Sequence, residues 1–329
     1  MNLTIIPFFL ATQFALPEIE IWKYGPEIYY QANILTTVIN KGEDEWMKID
    51  LNGAMGCRSI NEKSILCRLS TMKFYITDMF NNINSTEEVI INKRFQLDFN
   101  ENGVEQMIVD SPYDMEFMIL IYYLATQFNI GVNVGKHSKM SFPFVKKENF
   151  TLGECDTVFN ITLKEKDHSS SSISEEEEKN EDEDEEDLIE KVKEKDEEKD
   201  LISDDLGEVK LTLIGVPEKS ADIDLVIEKY RNSKRCTRAD KYMNWLTDID
   251  DNTEVISSFS QIRVQENESF ESFTTTTTKT KFTKPVMIHE FIKIKLKSIN
   301  PAIGPLPTFS NPFVMKFSSD EIMKKNDIL

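Results

Sequence analysis

The sequence predicts a mainly β protein: an antiparallel, barrel-like sheet wrapped around one buried central helix. Three observations carry that prediction. Strand-length segments with period-two alternation recur from residue 28 to residue 297. A single segment, 117–125, is instead apolar on every side. An acidic run interrupts the strand pattern once and does not end it.

The chain opens with "MNLTIIPFFLATQFALPEIE". Residues 3–15 are almost wholly apolar and end at the small residue Ala15, which fits a secretory leader spanning 1–15. The bland alternative is a buried first strand. The run is too short to cross a bilayer as a helix, and no later stretch reads as transmembrane.

Residues 28–40 alternate, with Tyr30, Ala32, Ile34, Thr36 and Val38 on one face. Met47, Ile49 and Leu51 share a face in the next segment. Cys57 and Cys67 flank a turn centred on Glu62, five residues to each side, so they oppose one another across a hairpin and suit a disulfide. Segments 94–99 and 104–109 flank Asn102-Gly103, a hairpin signal. Ser111 is the expected N-cap of the helix, with Pro112 at its first position and Asp114 three residues after the cap. A helix apolar all round is buried, and this one is too short for a membrane span. Later strands are expected in "CDTVFNITL", "EVKLTLIGV", "IDLVIEKY", "FESFTTTTTKTKFT" and "FIKIKLKSI". The last sets Ile292, Ile294 and Leu296 against Lys293, Lys295 and Lys297. The threonine run 274–278 suits a strand because Thr is β-branched.

The formal net charge is −20, and Glu175 to Asp200 holds 17 acidic residues against 5 lysines, a net of −12. The acidity is therefore local. Residues 166–206 are too charged and too poor in aromatics to offset the entropy of ordering, so they are expected to form a disordered insert. The remainder, about 280 residues, suits one large all-β domain or two smaller ones. Four cysteines are an even number. With Cys57 and Cys67 paired, Cys155 and Cys236 remain for each other, and their bond would enclose the acidic run as a loop of one domain.

Candidate sites are few. Asn84, Asn149, Asn160 and Asn267 begin glycosylation sequons, which together with the leader point to a secreted, extracellular protein. Ser174, followed by Glu175 and Glu176, is an acidic-directed phosphorylation site. His137, His168 and His289 have no partner at metal-ligand spacing, so no metal is expected. "GVNVGKHS" departs from a phosphate loop in its glycine spacing and in His137. No nucleophile elbow or acid/base pair stands out, and neither an enzyme nor a cofactor nor a nucleic-acid partner is expected. Segment 229–241 runs against the chain's charge: Lys229, Arg231, Lys234, Arg235, Arg238 and Lys241 face one acid, Asp240. It reads as a solvated loop or as an anion or receptor contact, and the acidic run is expected to visit it.

In order, the segments "WKYGPEIYYQANILTTV", "FQLDFNENGVEQMIVDSP", "MEFMILIYYLATQF", "GECDTVFNITL", "DLVIEKYRNSKRC" and "ESFTTTTTKTKFT" resemble the N-terminal region of vitellogenins, in the large lipid-transfer protein family. The resemblance covers residues 22 to 317. It implies a barrel-like domain over 16–317 around a central helix, with a disulfide matching Cys155 and Cys236. It implies a lipid-transport or yolk-storage label. It also implies receptor recognition, with a lipoprotein-receptor-type partner or another extracellular protein meeting Lys229, Arg231, Lys234 and Arg235. Lipid carriage is the alternative. Family members continue into a helical domain and lipid-bearing sheets, whereas this chain reaches only a short tail at 318–329, which reads as a short paralogue or a fragment without the lipid cavity. The acidic, Ser-rich run also lies inside the domain, where the family places such a segment after it.

Overall fold

The computed structural model describes residues 2–5, 12–15, 23–40, 46–61, 63–79, 81–100, 103–110, 115–132, 143–150, 153–165, 210–213, 223–238, 253–265, 269–281 and 285–316. The expected cap at Ser111, Pro112 and Asp114, the acidic run with Ser174, and the tail 318–329 lie outside the described residues.

Two short strands, β1 (Asn2–Ile5) and β2 (Thr12–Ala15), fall within the segment read as a leader. Five long strands follow: β3 (Pro26–Asn40), β4 (Trp46–Asn61), β5 (Ser64–Asp78), β6 (Ile83–Asn100) and β7 (Gly103–Asp110). Helix α1 spans Met115–Thr126. Then come β8 (Phe144–Phe150), β9 (Gly153–Glu165), β10 (Lys210–Leu213), β11 (Ile223–Arg238), β12 (Thr253–Gln265), β13 (Ser269–Thr280), β14 (Val286–Pro301) and β15 (Pro312–Lys316).

Twelve strands form one antiparallel sheet in the order β15-β7-β6-β5-β4-β3-β14-β13-β12-β11-β9-β8, while β1, β2 and β10 form a separate three-stranded sheet. The large sheet is two meanders, β3 to β7 and β8 to β14 without β10, joined where β14 pairs with β3. It is open. Strands β15 and β8 are its edges, so among the described residues the expected barrel is not closed by hydrogen bonds. The physical reason is the pairing itself: the last strand returns to β7 and not to β8.

Alternation decides which side chains turn inward, because successive residues of a strand face opposite sides. Tyr30, Ala32, Ile34, Thr36 and Val38 are all buried, as the sequence pattern requires. Ile292 and Ile294 are buried while Lys295 and Lys297 are exposed. Cys57 and Cys67 are direct cross-strand partners joined at an S–S distance of 2.04 Å, and Cys155 and Cys236 likewise at 2.06 Å.

Helix α1 lies in the chain between the two meanders. Every residue from Phe117 to Thr126 is buried. Its apolar side chains share one core with Leu51, Met72, Phe95 and Leu97 of the first meander and with Phe159, Ile227, Ile262 and Ile294 of the second. Just past it, Phe128 stacks on Phe270 at 5.9 Å, and Tyr30 meets both rings edge-on. Burying a Phe, Leu or Ile side chain is worth about 1.5–3 kcal/mol, so this contact is a main stabilising term. The helix ends in tighter turns. Gln127, Phe128 and Asn129 donate their backbone N–H to the carbonyls of Leu124, Ala125 and Thr126. The hairpin before it is also special. Gly103 has φ +134°, and a Cβ there would sit 2.0 Å from Asn129 Oδ1, which accepts the N–H of Val104.

Segment 166–222 connects β9 to β11, whose ends pair as Glu165 with Ile223. Both ends of the acidic connection are thus held on neighbouring strands.

Candidate functional site

Strand β11 sets the site. Leu225 and Ile227 face inward into the core, and the same period-two rule turns Lys229 and Arg231 inward after them. Edge strand β8 presents Glu148 to the same interior. Lys229 Nζ donates to Glu148 Oε1 and to the Asn129 carbonyl, each at 2.5 Å. Arg231 Nη2 lies 3.1 Å from Glu148 Oε2. The guanidinium sits over the Phe150 ring at 3.7 Å, and its Nη1 donates to Ser260 Oγ at 2.7 Å. From there a row of hydroxyls crosses the sheet. Ser260 meets Thr274 at 2.8 Å, and Gln127, at the helix exit, donates to Thr274 at 3.1 Å. The threonine run is therefore a strand with its even members turned into this polar row.

Three charges share this buried volume, with a net of +1 if all are ionised. Burial lowers the Lys229 pKa from its ordinary value to about 8, opposed by the Glu148 carboxylate and reinforced by Arg231 and Lys146. Burial likewise lowers that of Arg231, again opposed by Glu148. The Asn129 N–H closes the last turn after α1, and its carbonyl, just past the C-terminal end of the helix, accepts from the Lys229 cation. Gly131, at φ +83°, leaves room for the carboxylate; a Cβ there would come within 2.7 Å of Glu148 Oε1. The arrangement ties edge strand β8, the helix exit and strands β11 to β13 together. A lysine with a lowered pKa has the chemistry of a base or nucleophile, but Lys229 is only 1% exposed and its Nζ is already engaged.

The expected receptor patch is therefore corrected. Lys229 and Arg231 do not face a partner, because strand alternation places them in the core and Glu148 holds them there. Lys234 and Arg235 are exposed, and Arg235 lies 3.6 Å from Asp156 across the surface. Among the sequon residues, Asn84 is exposed on β6. Asn160 is half-buried on β9 and donates to Glu228 at 3.0 Å. Asn149 lies on β8, and Asn267 is outside the described residues. His289 is exposed, with Nδ1 3.1 Å from Thr277 Oγ1; His137 and His168 are outside the described residues. The sequence reading missed Glu148 altogether. Its signal was the alternation Phe144, Lys146, Glu148, Phe150, with apolar ends on one face.

No protein-family model matches the chain, and no curated protein matches it. Among solved structures it is similar to one described as lipid–protein interactions in lipovitellin, with a TM-score of 0.52 and 8% sequence identity. The match covers 91% of this chain and 28% of that one. The chain thus spans less than a third of the lipovitellin chain it matches, and at this identity the likeness speaks to fold alone. By that measure the chain has a lipovitellin-like fold.

Proposed function

We propose that this chain is a secreted, vitellogenin-like binding module that engages a cell-surface receptor or another extracellular protein and performs no catalysis. In this reading the sheet wraps α1, and the module corresponds to the N-terminal region of a vitellogenin. The observation that supports it is the core: Ile121, Leu124 and Ala125 are fully buried and share one apolar cluster with residues of both meanders, the volume a carrier would need for its cargo. Two cross-strand disulfides support an oxidising, extracellular setting. Among the described side chains of the basic segment, exposed Lys234 and Arg235 are the ones an acidic receptor would meet, Arg235 beside Asp156.

The second reading, a lipid carrier, is favoured by the likeness to lipovitellin. The experiment that separates them uses labelled protein on cells that take up vitellogenin. The binding-module reading expects saturable binding, weakened by charge reversal at Lys234 and Arg235. Absence of saturable binding to such cells, alongside lipid recovered with the protein, would favour the carrier.

A further inference from the structure

The outer face of the sheet is not uniform. At the end where β9 finishes and β11 begins, it carries a basic field built by alternation. Arg58 and Arg68 lie on neighbouring strands β4 and β5, and both act electrostatically on Tyr29 of β3. Beside β3, strand β14 presents Lys293, Lys295 and Lys297, and β12 adds exposed Arg263. The carboxylates of this region are Glu27, bonded to Tyr29 Oη at 2.9 Å, Glu271, paired with Lys293 at 3.0 Å, Asp50, which accepts from Asn33 beside Lys293 at 2.8 Å, and Glu228, which accepts from Gln261 at 3.3 Å. Six cations against four carboxylates leave a net of +2, in a chain whose total is −20. Lys295 and Lys297 are exposed and Lys293 is half-buried.

The register places this field beside the acidic connection. Asp224 of β11 pairs with Gln265 of β12, and Gln265 pairs with Ser269 of β13. Glu271, two residues on, pairs with Lys295 of β14. The row that starts at the return of the acidic connection therefore runs to Lys295 and Lys297. Three strand spacings of about 4.8 Å separate β11 from β14, roughly 14 Å. Glu175 follows the last residue of β9, Glu165, by ten positions, an extended reach of roughly 33 Å. Length is not limiting.

We propose that this basic end of the outer face is an interaction surface whose occupant is the chain's own acidic run, Glu175 to Asp200. Charge selects the pair: −12 on the run meets +2 on the face. Tethering at both ends raises the effective concentration of the run far above that of a free acidic partner. The contact is electrostatic, so it weakens once the Debye length falls well below its value of about 8 Å at physiological salt. This surface is distinct from Lys234 and Arg235, and the inference does not depend on receptor binding.

The test is zero-length carbodiimide coupling of the intact chain, which joins carboxylates to amines, followed by peptide mass spectrometry. The expected result is coupling of residues 175–200 to Lys293, Lys295 or Lys297 at low salt, falling severalfold at high salt. Coupling directed mainly to Lys234 or to other lysines, or independent of salt, would overturn it. A second readout uses the full chain with Lys293, Lys295 and Lys297 all changed to Gln. A glutamate-specific protease should cut within 175–200 severalfold faster in this variant than in the wild type at low salt. Equal rates would also overturn the proposal. So would capture of anionic phospholipid vesicles by the wild-type chain through these lysines with no change in cutting, since that would give the face to lipid.

Discussion

Glu148 is the residue on which the interior charge balance turns. It is buried, and it faces two buried cations. Removing one partner of a buried ion pair is costly because the other charge stays behind, typically 3–5 kcal/mol. Glu148→Gln, which keeps the shape and removes the charge, should therefore destabilise the chain by about that amount in urea unfolding. Replacing Lys229 with Met removes a charge that burial disfavours and should cost less. The pH dependence has a definite sign. The unfolded chain holds the Lys229 proton up to the ordinary lysine value, about 10.4, whereas the folded chain releases it near 8. Between those values the unfolded state binds more protons, so stability rises with pH. The urea midpoint should increase from neutral pH to about pH 9.5 by more in wild type than in Lys229→Met. No free cysteine is present to drive thiol exchange at that pH. Equal pH responses would mean that the folded chain keeps the Lys229 proton as long as the unfolded chain does, and that burial does not lower its pKa.

At the scale of elements, alternation made much of the sheet legible. The inward faces of β3 and β14 follow from counting by two, and the Cys57–Cys67 pairing follows from the symmetric turn between them. The helix was legible because no strand needs Phe117 to Ala125 apolar on both faces. Lys229 and Arg231 were misplaced for an instructive reason. Charge was weighed above period, although the alternation from Leu225 and Ile227 continues through them. Their partner Glu148 lies 81 residues away from Lys229, on a strand that reaches β11 only through β9, so no local pattern links the two. For the same reason the open edges at β8 and β15 left no mark in any single segment. The helix makes the sharpest prediction at this scale. Ile121 is fully buried, and Ile121→Ala should cost about 2–5 kcal/mol through lost burial and the cavity left behind. A loss below about 1 kcal/mol in chemical denaturation would mean that the helix is not packed in the core as described.

At the scale of the whole molecule, the pairing of distant segments holds the two meanders as one sheet. The Cys155–Cys236 bond spans 81 residues and closes the acidic connection. In the chain-entropy model a loop of that length is worth about 4–5 kcal/mol, against about 3 for the short Cys57–Cys67 loop. Replacing Cys155 and Cys236 together with Ser should therefore lower stability more than replacing Cys57 and Cys67. Deleting residues 169–200 should leave the melting temperature nearly unchanged, because loop-closure entropy grows only with the logarithm of length. The central claim is that the space between the meanders is filled by the helix and that the chain acts by binding other proteins. The most direct measurement is native mass spectrometry of the protein recovered from the medium of expressing cells. The account predicts the mass of the polypeptide with its two disulfides and any attached glycans, and no bound lipid. Stoichiometric lipid that survives purification and is released on unfolding would contradict it.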